Sequence, residues 1–267
     1  MGPGDAGPVE QDNAIKRSVK VINKKDLERF LLRHYYVTLI SAAKATNLTM
    51  STAEASAFDL YLQTEKGLKA EKLMANAGIA LAKYIQRCAR ENRYQNILAL
   101  AGPGNNGGDA WVAARYLQEN DSFSVTVWAP LGTPEGTASP AATAAQAAIK
   151  AGVAVNKDQF PASWDFAIDG LFGLGLSRPL EGIAAEAVTH LNQSSTPILS
   201  ADVPSGLNSD TGKVMGVAIA AQSTIAFVGP RPGFFEADGP AHVGEVWVHD
   251  LGVDSSIALS WLERRRG

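Results

Sequence analysis

The chain reads as an α/β protein built on a mostly parallel sheet with helices on both faces. Six short apolar runs follow one another: NILALAG (96–102), SVTVWAP (124–130), FAIDGLFG (166–173), PILSADVPS (197–205), STIAFVG (223–229) and GEVWVHDLG (244–252). Helical stretches at about 109–119, 139–151 and 183–194 separate the first four. The runs are continuously apolar rather than alternating, as strands covered on both faces are. No linker or internal repeat interrupts them, and 267 residues suffice for one large domain.

The composition narrows the function. With 46% hydrophobic and 19% charged residues and a net charge of −3, the chain resembles an ordinary globular protein. It offers no basic footprint for nucleic acid or a membrane surface. The single cysteine, Cys88, excludes an intrachain disulfide and a cysteine-based zinc site. No apolar stretch approaches the ~20 residues of a membrane span. The start, MGPGDAGPVEQDNAIKR, lacks the basic and apolar regions of a secretory signal. Together these features predict a cytoplasmic protein.

Taken in order, residues 1–15 read as a flexible tail. Residues 16–48 have helical spacing at Leu27, Phe30, Leu31, His34 and Tyr35. The expected division is therefore an N-terminal extension, 1–48, and a domain, 49–267. Ser51 and Glu54 form a capping-box pattern for a helix running to about Thr64. The next helix, KAEKLMANAGIALAKYIQRCARE, carries Leu73, Ala77, Ala80, Leu81, Tyr84, Ile85 and Cys88 on one face. Cys88 reads as a small core residue and Asn76 as a solvated polar one. The Ala-rich SPAATAAQAAIKAG is a good helix with a thin packing face.

In a doubly wound parallel sheet, ligands sit at the carboxyl ends of the strands. Polar residues collect at four of those ends: Asn105, Asn106 and Asp109; Asp169; Asp202 and Ser205; and Arg231. The loop AGPGNNGGDAWVAARYL matches G-x-G-x-x-G at Gly102, Gly104 and Gly107. A dinucleotide fingerprint expects an acid at the end of the second strand, but that strand ends Trp128-Ala129-Pro130. The Gly-Lys-Ser/Thr of a phosphate-binding loop is also missing. The glycines therefore serve backbone shape. Asp109 suits a helix N-cap, a substrate contact, or both.

DGLFGLGLSRPLEG places Gly170, Gly173, Gly175 and Arg178 after a buried strand, an arrangement suited to phosphate oxygens. Arg178 reads equally as a solvated side chain. Asp169 lies among apolar neighbours and needs a cation or several hydrogen bonds. With one cysteine and no histidine cluster, a hard monovalent ion fits better than zinc. ADVPSGLNSDTG fixes Asp202 at the sheet edge, as a general acid or base or as a turn-forming carboxylate. No Ser-His-Asp reading exists: PSGL lacks the nucleophile elbow, and His34, His190, His242 and His249 read as surface or satisfied residues. His249 and Asp250 beside Gly252 form a further candidate site.

Five motifs together resemble the NAD(P)H-hydrate epimerases, the YjeF N-terminal domain family. They are GPGNNGGDAWVAARYL, IDGLFGLGLSRPLEG, SADVPSGLNSDTGKVMG, AFVGPRPGFF and GEVWVHDLGV, with EKLMANAG matching the helix ahead of the loop. The resemblance covers about residues 50–253 and implies a three-layer α/β/α Rossmann-like fold, a homodimer, and epimerisation of hydrated NADH or NADPH (NADHX, NADPHX) between R and S forms. It implies substrate contacts from Asn105, Asn106, Gly107, Gly108 and Asp109; from Gly173, Leu174, Gly175, Leu176, Ser177, Arg178 and Pro179; and from Asp202, the expected acid/base. It implies a potassium ion held by Asn106, Asp169 and Ser205. Family members often carry lysine at the position of Arg231 and threonine at that of Leu174. A separate NAD(P)HX dehydratase would complete the repair, since a dehydratase domain finds no match in this chain.

Besides a generic α/β domain with a decayed site, two other readings remain. The same fold serves in eukaryotic decapping scaffolds and a lipoprotein-associated binding protein, so a binding module is one. The joint presence of Asn106, Asp169, Asp202 and Ser205 favours a working pocket. An ordinary NAD-dependent oxidoreductase is the other, and the missing ribose acid counts against it.

Overall fold

A computed structural model describes residues 48–120, 123–135 and 139–267, with the backbone of Val37–Thr38. The capping box forms: helix α1 (Thr52–Thr64) starts after Ser51, whose Oγ accepts from the Glu54 N–H at 3.2 Å while Glu54 Oε2 accepts from the Ser51 N–H at 2.9 Å. Helix α2 (Ala70–Asn92) buries the expected apolar face, and Cys88 packs half-buried against the core.

All six predicted strands are present. They are β2 (Asn96–Ala101), β3 (Ser124–Trp128), β5 (Phe166–Gly170), β6 (Ile198–Ala201), β7 (Ser223–Phe227) and β8 (Glu245–His249). Two more are short edge strands without a readable pattern, β1 (Val37–Thr38) and β4 (Ala154–Asn156). The helices between are α3 (Asn105–Asn120), α4 (Pro140–Lys150) and α5 (Gly182–Gln193), with α6 (Gly239–His242) and α7 (Ser255–Arg266) near the end. The helical spacing read at Leu27–Tyr35 lies outside the described residues.

The sheet order is β1-β8-β7-β6-β5-β2-β3-β4. Seven strands run parallel, and β1 pairs antiparallel with β8. Side-chain alternation divides the core. Ile97, Ala99 and Ala101 face α2, α3 and α4, whereas Leu98 and Leu100 face α5. That gives the three-layer α/β/α Rossmann-like fold. Helices α1 and α7 close one end around Met50, Leu62, Leu73 and Trp261.

The chain lays β3 and β4 on one side of β2 and β5 to β8 on the other. The winding therefore reverses between β2 and β5, where their carboxyl ends leave a crevice. Helix α3 opens at Asn105, four residues before the expected start. Asn and Gly are poor helix formers, but N–H groups of a first turn have no intrahelical acceptor in any case, so the turn tolerates them.

Candidate active site

A cavity of about 570 Å³ opens at this crevice, within the ~300–1,000 Å³ range of small-molecule sites. Its polar wall brings together the ends of four strands: Asn105, Asn106 and Asp109 after β2, Gly173 to Gly175 after β5, Asp202 after β6, and Arg231 after β7. Its apolar wall comes from Met50, Phe58, Leu62, Leu73 and Met74. Sequence reasoning missed this wall, although Phe58 and Leu62 carried the i, i+4 signal of a buried face.

The glycines of the first loop do set its shape. A Cβ on Gly102 would overlap the Leu171 carbonyl, and one on Gly107 would overlap the Gly102 carbonyl. The loop is folded on itself and on the end of β5. Gly108 packs under the Met74 thioether. Gly107 and Gly108 thus lie behind the cavity wall. Leu176, Ser177, Arg178 and Pro179 lie beyond it, with Ser177, Arg178 and Pro179 exposed.

Asp169 is fully buried. Register explains its surroundings, for Asp169 pairs with Leu100 on β2 and Ser200 on β6. Its Oδ2 accepts from Ser200 Oγ and from the Ser205 N–H, both at 2.8 Å. Its Oδ1 accepts from Ser205 Oγ at 2.5 Å and from the Leu171 N–H at 3.3 Å. Burial still pushes its carboxyl above the usual range, against these four donors. The Phe172 carbonyl accepts from Asn106 Nδ2 at 2.9 Å and lies 3.0 Å from Ser205 Oγ. Asn106 and Ser205 thus meet at this one carbonyl, with Asp169 joined to them through Ser205, which the sequence did not reveal. One carboxylate among neutral oxygens fits a hard, singly charged cation. Among the described residues no group of three or more His, Cys, Asp or Glu could hold a metal ion.

Asp202 is also buried, in the left-handed conformation at φ +58°. It does not cap its own turn, one of the roles left open by the sequence. Instead Oδ1 accepts from the Phe227 N–H at 3.1 Å and from Arg231 Nη2 at 2.7 Å. Arg231 is 2% exposed, and Nη2 also donates to the Phe227 carbonyl at 3.1 Å. Its Nε and Nη1 have no acceptor among the described residues. Arginine at this position therefore places a fixed charge against Asp202.

Asp109 does not act as a cap either. It is the fifth residue of α3, and among the described residues its carboxyl accepts no hydrogen bond. Burial pushes it well above the usual carboxylate range, and the negative charges of Asp202 and Asp59 push the same way. Asp59 stands on α1 at the cavity rim. Val228 at φ +67° and Leu251 at φ +57° also line the cavity, after β7 and β8. With Asp202 they make three non-glycine left-handed residues on one wall, each costing of the order of 1–2 kcal/mol.

The remaining candidates are structural. Asn76 is not simply solvated: its Nδ2 donates to the Leu251 carbonyl at 2.7 Å, tying α2 to the turn after β8. His249 Nδ1 accepts from the Leu251 N–H at 3.1 Å, and burial lowers its pKa. Asp250 Oδ1 accepts from the Gly252 N–H at 2.7 Å. Both serve that turn and neither lines the cavity. His190 packs among Trp128, Phe160 and Trp164, and His242 Nδ1 lies 2.8 Å from the Ile219 carbonyl.

Fold and site together define a doubly wound α/β domain with a small-molecule pocket at its switch point, organised by carboxyl groups rather than by a phosphate cradle. A family model described as "YjeF-related protein N-terminus" matches residues 70–233, and the chain belongs to this family. It is 38% identical over 186 residues to the NAD(P)H-hydrate epimerase of Rhodopirellula baltica, covering 68% of this chain and 75% of that one. It is 35% identical over 214 residues to the bifunctional NAD(P)H-hydrate repair enzyme Nnr of Thermofilum pendens. That match covers 77% of this chain and 40% of the longer protein. The crystal structure of yeast ynu0, YNL200c, shares the fold at a TM-score of 0.63 and 23% identity, covering 75% of this chain and 87% of that one.

Proposed function

We propose that this protein is an NAD(P)H-hydrate epimerase, interconverting the R and S forms of NADHX and NADPHX. The observation that carries the reading is Asp202: a buried carboxylate, paired with Arg231 through Oδ1, standing on a ligand-sized cavity in a chain of this family. In the substrate, the hydrated carbon bears a hydroxyl next to the ring nitrogen. The nitrogen lone pair expels that hydroxyl, which takes a proton as it leaves. Water adds to the opposite face of the C=N⁺ and loses a proton, inverting the centre. No electrons are transferred, so the site has to position the ring and move protons.

Asp202 serves this step as acid/base through Oδ2, the oxygen not committed to Arg231. Asn105, Asn106, Asp109 and Gly173 to Gly175 contact the substrate. Leu176, Ser177, Arg178 and Pro179 reach it only where the ligand extends beyond the cavity, and Gly107 and Gly108 contribute through backbone shape. Asn106, Asp169 and Ser205 hold potassium. The bound ion supplies a fixed positive charge against Asp169 and orders the two loops. The active species is a cytoplasmic homodimer, and its S product passes to an NAD(P)HX dehydratase. The bifunctional name of the Thermofilum relative supports that coupling.

The test mixes R-NADHX with an S-specific dehydratase and its nucleotide, and follows NADH recovery in potassium buffer. The expected result is acceleration over the spontaneous rate, lost in Asp202→Asn. Folded protein that gives no acceleration refutes the function. Full activity in Asp202→Asn refutes the role of that residue.

A further inference from the structure

Asp109 is a buried acid for which the chemistry above has no catalytic use. It is 8% exposed and lies on the cavity wall, yet no described group donates to its carboxyl or pairs with it. Buried carboxyls are ordinarily satisfied, and Asp169 and Asp202 both are. An unpaired one on a ligand cavity is open to a bound molecule.

The two cavity acids come from different elements. Asp109 is carried by α3 after β2, and Asp202 follows β6. The start of α3 leans over the sheet, with Asn106 and Ala110 packed on Gly170 at the end of β5, and Asp109 and Asp202 line the same cavity. At about 570 Å³ that cavity has room for a ring. Among the described residues the charged groups that line the cavity with Asp109 are Asp59 on α1, Asp202, and Arg231, whose Nη2 is committed to Asp202.

Resting on the epimerase reading, we propose that Asp109 is the proton donor to the departing hydroxyl and Asp202 the acceptor for the water that adds on the other face. The carbon–oxygen bond breaks with its electron pair going to oxygen, and the Asp109 proton completes a water molecule. The ring nitrogen lone pair forms the C=N⁺. A second water attacks from the Asp202 side, its oxygen pair forms the new bond, and its proton passes to Asp202 Oδ2. One turnover leaves Asp109 ionised and Asp202 protonated, the form that catalyses the reverse direction. Proton exchange through cavity water restores the starting form. Opposite acids on opposite faces account for inversion, which a single carboxyl on one face does not. The environment keeps the donor loaded: burial and two like charges favour the neutral form of Asp109.

The experiment compares wild type with Asp109→Asn, separating R- and S-NADHX directly by chromatography. The expected loss in kcat is ~10²–10⁴-fold, the usual contribution of a general acid. Wild-type kcat/KM should fall as pH rises and Asp109 ionises, and Asp109→Asn should lose that limb. A wild-type rate and pH profile in Asp109→Asn overturn the inference while leaving the epimerase intact. An inactive, folded wild type overturns both. A second measurement is independent of activity. Forcing charge onto a buried acid costs stability, so the Tm of Asp109→Asn relative to wild type should rise from pH 5 to pH 9. A relative Tm that does not rise with pH shows that burial does not hold Asp109 neutral and overturns the inference.

Discussion

Replacing Asp202 by alanine tests the buried ion pair on which the site is built. The carboxylate lies 2.7 Å from Arg231 Nη2, and the side chains are only 11% and 3% exposed. Without Asp202, the guanidinium keeps a single neutral acceptor among the described residues, the Phe227 carbonyl at 3.1 Å. Removing one partner of a buried pair costs about 3–5 kcal/mol, because the other charge stays in a medium that solvates it poorly. For a domain of this size, at 2–4 °C per kcal/mol, Tm should fall by roughly 6–20 °C. Arg231→Met should cost a similar amount by stranding Asp202. The double variant should cost less than the sum of the two, since replacing both charges by apolar groups is often nearly neutral. Urea unfolding followed by the fluorescence of the five tryptophans measures all three. Single costs below about 1 kcal/mol that simply add would show that water screens the pair, and the reasoning would fail.

Further outcomes follow from other contacts. Gly107→Ala, which in an ordinary helix interior gains up to ~1 kcal/mol, should instead lower Tm sharply, because the methyl group would overlap the Gly102 carbonyl. Potassium chloride should raise wild-type Tm relative to choline chloride, and Asp169→Asn should abolish the difference by removing the charged ligand. The Arg266 guanidinium hydrogen-bonded to Glu54 lowers its pKa from 4.5 to about 2. A folded pKa below the unfolded one gives stability that is present above about pH 4.5 and lost as pH falls through about 2. The advantage of wild type over Glu54→Gln should shrink across that window, and it should be modest, about 0.5–1 kcal/mol, because the pair is partly exposed.

Much of the site was legible because its parts are local. Glycines at 102 and 107 announce a loop folded on itself, and a carboxylate within FAIDG demands partners wherever the strand lies. The capping box at Ser51 and Glu54 needs only four consecutive residues. Other features were not legible for an equally physical reason. Asp109 has capping chemistry and stands near a helix start, but local spacing cannot say whether the helix begins at 105 or 109, and that register decides where the carboxyl points. Arg231 reads only as a polar residue at a strand end until β7 carries it to Asp202, 29 residues earlier in the chain. The Phe172 carbonyl has no side-chain signature at all.

The amino-acid order by itself determined the class of fold, most of the strands and helices, and the set of polar residues at the strand ends. These follow from hydrophobic period and backbone preference, which act over a few residues. The tertiary structure decided which acid is satisfied, which is paired and which is left facing the cavity. It also supplied the apolar wall of α1 and α2. Those outcomes depend on strand order and parallel register, which place Ser200 and Ser205 around Asp169 and Arg231 against Asp202. No local pattern encodes them, because burial and charge pairing are properties of neighbours in space rather than along the chain.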